Sequence, residues 1–286
     1  MSDLSVLILC GRSPRHLYVA NMLCESARPV AIVQETGSQW NGKKLRRLLN
    51  PVKLWRKGWR WLRDRRRYTG GGEAKFFFGS RAPFLARPDL LVEVPHINHP
   101  DVVRLAQNLQ PDVIAVFGTS LIRGDLLTKG RLGIVNLHGG LSPEYRGADC
   151  TFWALHNGEP EKVGCTLHFI DRGIDSGDLI AHICPEVREG DEELTLFWRA
   201  VRDSAVGYAE LMERLARGER FGQKQLGKGR LYQVKDRGWR HERRLAWRIR
   251  NGLLCGLRLP HRIQWFPRPE SVGANPERVG GTETRV

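Results

Sequence analysis

Residues 5–33 read SVLILCGRSPRHLYVANMLCESARPVAIV. The run Ser5–Cys10 is continuously apolar and stops at Gly11, the pattern of a strand buried on both faces. Ser13 followed by Pro14 supplies a helix N-cap and a first helical residue, so a helix is expected to about Cys24. Pro29–Val33 is a second apolar strand. Strand, helix, strand within thirty residues predicts an α/β sheet of mostly parallel strands.

The same reading extends outward. A short strand at best is expected at 92–95, then a helix over 101–109. Strands follow at 111–118 and 133–138, with a short helix between them over 121–128. After Pro143 a helix is expected over 148–157. The segments 163–170 and 179–183 alternate apolar with polar, which predicts an antiparallel pair at the far side of the sheet. A long amphipathic helix is expected from Glu192 to about Arg217, with Trp198 in the core rather than in a ligand box. Beyond Gly218 periodicity fades, and residues 267–286 look like a loose tail. No internal repeat is evident. The expected organisation is a Rossmann-like catalytic domain over 1–217 with a basic helical insertion at 42–69, then a basic C-terminal extension over 218–286.

The chain has 286 residues, 41% apolar and 27% charged, which excludes a disordered chain and a small disulfide scaffold. The net charge is +15, unevenly placed. Residues 43–69 hold twelve Lys or Arg and one acid, and residues 220–250 hold eleven against two, so the remainder of the chain is mildly acidic. Two basic patches on an acidic body attract polyanions: nucleic acid, anionic lipid or phosphorylated substrates. The six cysteines have no zinc or redox spacing and most look like buried thiols, which suits a cytoplasmic compartment. Nothing at the start is ordered as a signal peptide, and no apolar run approaches the roughly 20 residues of a membrane span.

Chemistry concentrates at one strand end. Asn136 and His138 are two apart at the end of an apolar strand, so they project to one face. The carboxyl ends of parallel strands line the ligand crevice of an open α/β sheet. The turn Gly139-Gly140-Leu141-Ser142-Pro143 lets backbone approach a ligand, and the loop 171–178 adds Asp171, Asp175 and Asp178. Amide, imidazole and carboxylate in one crevice suit acyl transfer to an amine: the amide and imidazole stabilise a tetrahedral oxyanion, and the imidazole and carboxylate move protons. By residue type alone, an equal alternative is that Asn136 caps a loop and His138 is a satisfied crevice-edge histidine. His16, His96, His99, His168 and His182 show no metal spacing and read as structural or crevice-lining, and no metal is expected.

The stretch NLHGGLSPEYRGADCTFWAL, followed by VGCTLHFIDRGIDSGDLIA, resembles the folate-dependent formyltransferases. That family includes enzymes acting on methionyl-tRNA, on glycinamide ribonucleotide and on amino sugars of sugar nucleotides. The resemblance spans about residues 4–210. It implies transfer of formyl from 10-formyltetrahydrofolate to a primary amine, with Asn136, His138 and Asp175 as catalytic residues. It implies a folate side built from Gly118, Thr119, Ser120 and Leu121 and from Gly140, Leu141, Ser142 and Pro143. On the acceptor side we place Arg12 and Arg15, at a helix start that suits an anion, together with Tyr145 and Arg146. A small phosphorylated amine such as an amino-sugar nucleotide is the expected acceptor. Aminoacyl-tRNA is the alternative within enzymes, and a silent module at membrane or RNA the alternative outside them.

Residues 51–68 set Val52, Trp55, Trp59 and Leu62 at helical spacing among Lys and Arg. The expectation is a helix packing its Trp side on the body with a solvated basic face. A membrane-surface role comes next, then RNA.

Overall fold

The computed structural model describes residues 3–37, 51–68, 70–227 and 229–268. The basic stretch 43–50 and most of the expected tail lie outside them.

The strand–helix–strand opening forms as read: β1 (Ser5–Cys10), α1 (Pro14–Ser26) and β2 (Arg28–Glu35). Ser13 is the N-cap of α1 and Pro14 its first residue. Next come α2 (Pro51–Tyr68), α3 (Gly72–Phe78), β3 (Leu91–Val94), α4 (Pro100–Leu109) and β4 (Val113–Phe117). A single 3-10 turn, Gly124–Thr128, stands where a short helix is expected, and β5 (Gly133–His138) follows. The remaining elements are β6 (Tyr145–Gly147), α5 (Cys150–Asn157), β7 (Cys165–Phe169), β8 (Leu179–Cys184), β9 (Val187–Arg188) and α6 (Glu193–Ala216). The chain closes with β10 (Arg230–Tyr232), α7 (Trp239–Arg250), β11 (Arg258–Leu259) and β12 (Arg262–Trp265).

The described residues build an eight-stranded sheet in the order β12-β8-β7-β5-β4-β1-β2-β3. Strands β5, β4, β1, β2 and β3 run parallel; β7, β8 and β12 join antiparallel. The class is α/β, a mostly parallel sheet with an antiparallel edge. Each face carries its own core. Val19, Leu23, Trp198, Tyr208 and Leu211 cover one side, and Ile97, Val102, Ala106 and Leu126 the other. Trp198 is thus a core residue, as expected.

Between β4 and β5 the Tyr208 hydroxyl accepts the N–H of Val116 at 3.1 Å and donates to the carbonyl of Val135 at 2.7 Å. A side chain therefore satisfies backbone groups near the carboxyl ends of these strands, where the crevice opens.

Two expectations change. The C-terminal segment does not hang beside the sheet: β12 pairs with β8, and β10 pairs with β6. Tyr232, Leu245 and Leu254 share a buried cluster with Phe152, Trp153 and Leu155 of α5. Residues 262–265 alternate, so Ile263 and Trp265 pack on the core cluster while arginine and glutamine face away. Helix α2 also departs from expectation: of the expected packed side Trp59 turns inward, but Trp55 and Leu62 do not. Trp55 is 60% exposed, Leu54 and Trp61 are exposed beside it, and Leu62 is 38% exposed. The inward face carries Trp59, Arg63 and Arg67, each half-buried. The body offers acids there: Arg67 pairs with Glu193, and Arg63 approaches Glu242. The side chain of Val52 lies outside the described set. Among the described residues no helix is long and apolar enough to cross a membrane.

Candidate active site

Asn136 and His138 emerge from the carboxyl end of β5 on one face, opposite His168 and Thr166 of β7 in register. Asp175 reaches them from the loop joining β7 to β8, its backbone held at φ 49°. His138 Nδ1 lies 3.4 Å from Asp175 Oδ2, and His168 Nε2 lies 3.6 Å from Asp175 Oδ1. The Gly147 N–H donates to Asp175 Oδ2 at 2.9 Å. A Cβ at Gly147 would come within 2.2 Å of the Tyr232 carbonyl oxygen, so glycine is required where the loop passes the carboxylate.

The network assigns tautomers. His168 Nδ1 faces the carbonyl of Phe169 at 2.7 Å and must donate, leaving Nε2 to accept from the Asn136 amide at 3.1 Å. One Asn136 N–H is thereby used and the second is available to the crevice. His138 Nε2 donates to the carbonyl of Tyr145 at 2.9 Å, and Cys150 Sγ stands 3.6 Å from the same nitrogen. Proton exchange at His138 is thus confined to Nδ1, beside the carboxylate.

Burial pulls the His138 pKa below its ordinary value against the pull of Asp175, and His168 reinforces the lowering. Burial alone would raise Asp175, but His138, His168 and the Gly147 N–H overcome it and hold the carboxyl at about 2. At neutral pH the site therefore presents an ionised Asp175 beside a largely neutral imidazole. That ring can accept a proton at Nδ1 and hold it against the carboxylate.

The crevice around this cluster has a volume of about 760 Å³. Gly118, Thr119, Ser120 and Leu121 line it with Ile122, and Leu231–Val234 of the C-terminal segment close another side. Gly118 has φ 73° and packs against the buried His16 ring; a Cβ there would be 2.1 Å from His16 Nε2. A second chamber of about 260 Å³ shares Phe117, Gly139 and Gly147 with the first and is lined by Arg15, Arg67, Asp149 and Glu193.

Other expected site residues lie elsewhere. Gly140, Leu141 and Ser142 are buried beneath the site rather than along the crevice. Thr166 Oγ donates to the Gly140 carbonyl at 2.7 Å and accepts the Ser142 N–H at 3.0 Å, tying this turn to β7, and Pro143 follows it away from the wall. Tyr145 is buried; its hydroxyl meets Glu159 and Asn157, and its ring stacks on Tyr232. Arg146 reaches the Gly229 carbonyl. Arg12 is exposed and paired with Glu93 at 2.8 Å, outside both chambers, whereas Arg15 lines the smaller one while pairing with Glu73.

Local reading of the sequence under-weighted His168 and missed Tyr232. His168 was legible as a polar residue at i to i+2 spacing from Thr166, on the same face of an alternating strand. Tyr232 comes from a segment with no periodic signal, placed by its stack on Trp153 at 4.6 Å.

Residues 87–210 match the family model described as formyl transferase, and both strand-end residues, His168 and Asp175 fall inside that span. Over this span the chain is similar to the formyl transferases. Methionyl-tRNA formyltransferase of Caldanaerobacter subterraneus is 32% identical over 165 residues, 56% of this chain and 53% of that protein. The chain thus spans about half the length of this curated relative. Among solved structures, a sugar N-formyltransferase from a Shewanella species is similar at 17% identity and a TM-score of 0.52, covering 86% of this chain and 87% of that one. A glycinamide ribonucleotide transformylase from Symbiobacterium toebii is similar at 21% identity and a TM-score of 0.50, covering 79% and 95%. These two likenesses show a shared fold. Among the described residues no cluster of His, Cys, Asp or Glu is arranged to hold a metal ion.

Proposed function

We propose that the protein transfers a formyl group from 10-formyltetrahydrofolate to the primary amine of a small phosphorylated acceptor, an amino-sugar nucleotide or similar compound. The observation that carries this reading is the convergence of Asn136, His138 and Asp175 at the end of β5. The larger crevice suits the folate. Its walls combine the Gly118–Leu121 backbone with Leu137, Ile170, Ile174 and Val234, an apolar slot for a flat bicyclic ring with few polar groups to orient it. The folate would supply the reacting carbonyl. The chain would supply the free Asn136 N–H to the developing oxyanion, and His138 Nδ1 with Asp175 to take the amine proton. The smaller chamber, bearing Arg15 and Arg67 beside Asp149 and Glu193, would receive the amine with an anionic group attached. The buried free thiols support a reducing, cytoplasmic setting.

Incubation with 10-formyltetrahydrofolate and a panel of amino-sugar nucleotides, glycinamide ribonucleotide and aminoacyl-tRNA tests this, with released tetrahydrofolate as readout. Turnover of one small amine is expected. Turnover of aminoacyl-tRNA alone would transfer the assignment to tRNA, a reading favoured by the similarity to a methionyl-tRNA formyltransferase. No turnover with any amine would leave a binding module.

One observation bears on where the reaction takes place. The open face of α2, with Leu54, Trp55, Trp61 and Leu62, carries Arg65 over the Trp61 ring and Lys57 exposed at its border. An aromatic and cationic helix face of this kind supports docking on an anionic membrane surface.

A further inference from the structure

Behind Tyr232, on the side away from the catalytic crevice, lies a separate cavity of about 560 Å³. His156, at the end of α5, forms part of its wall and is only 7% exposed. Its Nδ1 faces Asn157 Oδ1 at 3.3 Å. The Asn157 amide nitrogen donates to the Tyr145 and Tyr232 hydroxyls at 3.0 and 2.9 Å, which identifies Oδ1 as an acceptor and His156 Nδ1 as a donor. The other ring nitrogen, Nε2, is buried without a hydrogen-bond partner, and so is Nε of Arg248 beside it. A buried polar atom left unpaired costs roughly 1–3 kcal/mol, so a native protein normally supplies a partner.

The surrounding groups show which partner would suit. His241 sits 5.3 Å from His156, ring centre to ring centre, and accepts the Gly238 N–H at Nδ1, so its Nε2 carries a proton to donate. Arg230, Arg244 and Arg248 complete the wall. The one acid lining the cavity, Asp236, turns Oδ2 toward the Gln233 N–H. Three arginines and two histidines around one concavity are held together only at the cost of mutual repulsion. Burial first, then the charges of His241, Arg244 and Arg248, keep the His156 pKa below its ordinary value. An anion reverses the sign of that electrostatic cost and gives His156 Nε2 a partner once the ring is protonated.

We propose that this cavity is a binding site for a phosphate or diphosphate group, read by Arg244 and Arg248 with His156 as the buried contact. It is walled off from His138 and Asp175 by the Tyr232–Trp153 stack. The proposal does not rest on formyl transfer, because binding of the anion is measured without folate or amine. Inorganic pyrophosphate is titrated calorimetrically at low salt into the wild-type protein and into Arg244→Ala/Arg248→Ala. Saturable binding is expected, weakened at least about tenfold in the double variant and partly restored by Arg244→Lys/Arg248→Lys. In parallel, the His156 imidazole resonance followed across pH should titrate higher with pyrophosphate present, a shift that a purely structural histidine would not show. Equal affinity in wild type and double variant, or no binding up to about 10 mM, overturns the site. If pyrophosphate raises the KM of the phosphorylated amine found in the panel, and does so in the wild type but not in Arg244→Ala/Arg248→Ala, the group belongs to the acceptor. If it binds with that KM unchanged, the group belongs to a separate ligand. Both results retain the site.

Discussion

The crevice of Asn136, His138 and Asp175 and the basic periphery handle charge in opposite ways. In the crevice the charged and polar groups are few and committed to one another: Asp175 to His138, His168 and Gly147, and Asn136 to His168. In the periphery they are many and divided. Arg67 and Arg237 turn inward onto Glu193, and Arg237 also meets Asp149 and Glu242, while the outer arginines of α7 stand in solvent. The net charge of +15 therefore misleads when treated as one patch. Part of it is internal mortar between α2, α7 and the body, part surrounds the His156 cavity, and among the described residues no lysine or arginine lines the crevice of Asn136, His138 and Asp175. Which charges are committed to which partners differs between the two regions, and only the fold reveals that.

The sharpest way to break this contrast is in the crevice. His138→Ala removes the proposed proton acceptor beside Asp175 and should lower formyl transfer by about 10²–10⁴ with folate binding largely kept. Single-turnover kinetics with the amine identified by the panel, alongside folate titration, would measure both. Transfer at the wild-type rate would remove His138 from the mechanism. Next in size is Arg237, buried to 3% exposure, its guanidinium 3.8 Å from the Phe152 ring centre. Burial opposes its charge, but Glu193, Glu242 and Asp149 keep it protonated. Arg237→Ala strands Asp149 and leaves Glu193 and Glu242 to Arg67 and Arg63 alone, and should cost about 3–5 kcal/mol, seen as a drop in the urea midpoint. A loss under about 1 kcal/mol, the range of exposed pairs, would mean the cluster is effectively at the surface.

The elements that were legible in the sequence are those fixed by short-range pattern. Ser5–Cys10, Ser13-Pro14 and the i to i+2 spacing of Asn136 and His138 depend on neighbours in the chain, so periodicity and capping chemistry expose them. Asp175 was reached through the resemblance of its loop to a known family rather than through spacing. What was not legible depends on partners far away. Which face of α2 turns inward is decided by Glu193 and Glu242, more than a hundred residues downstream. The attachment of β12 depends on an open edge at β8, and the wall formed by Tyr232 depends on Trp153. Gly140–Ser142 looked like a ligand loop because glycine and proline permit close approach. The glycine instead accommodates Cys150, whose Cβ lies 2.5 Å from where a Gly140 Cβ would sit.

A smaller effect links the crevice wall to pH. His16 packs between Gly11 and Gly118, and burial, reinforced by Arg15, lowers its pKa to about 3. The folded state thus disfavours the protonated ring, and the unfolded chain binds the extra proton below about 6.5. The stability from this neutral ring is fully present above that pH and is lost as pH falls toward 3, at about 1.4 kcal/mol per unit. Urea unfolding at several pH values between 7 and 5 should show a slope that is smaller by about that amount in His16→Gln. Equal slopes would mean that His16 titrates normally and the wall is open to water.

The smallest expected effect on stability belongs to the outer face of α2, and it separates the two halves of the comparison most cleanly. Trp55 and Trp61 are 60% and 61% exposed and take no part in the hydrophobic clusters of the body. Substituting both with alanine should change folding stability by no more than about 0.5 kcal/mol, as for surface residues generally. The same substitution should strip much of the binding to vesicles containing phosphatidylserine. Each indole that enters the interface contributes buried apolar area, and basic side chains near the surface add about 1 kcal/mol apiece. Cosedimentation with anionic and with neutral vesicles, before and after substitution, distinguishes the outcomes. Retained anionic binding in the double variant would assign the attraction to charge alone and leave the tryptophans without a membrane role. A large loss of stability would instead show that the face is packed in solution against something other than lipid.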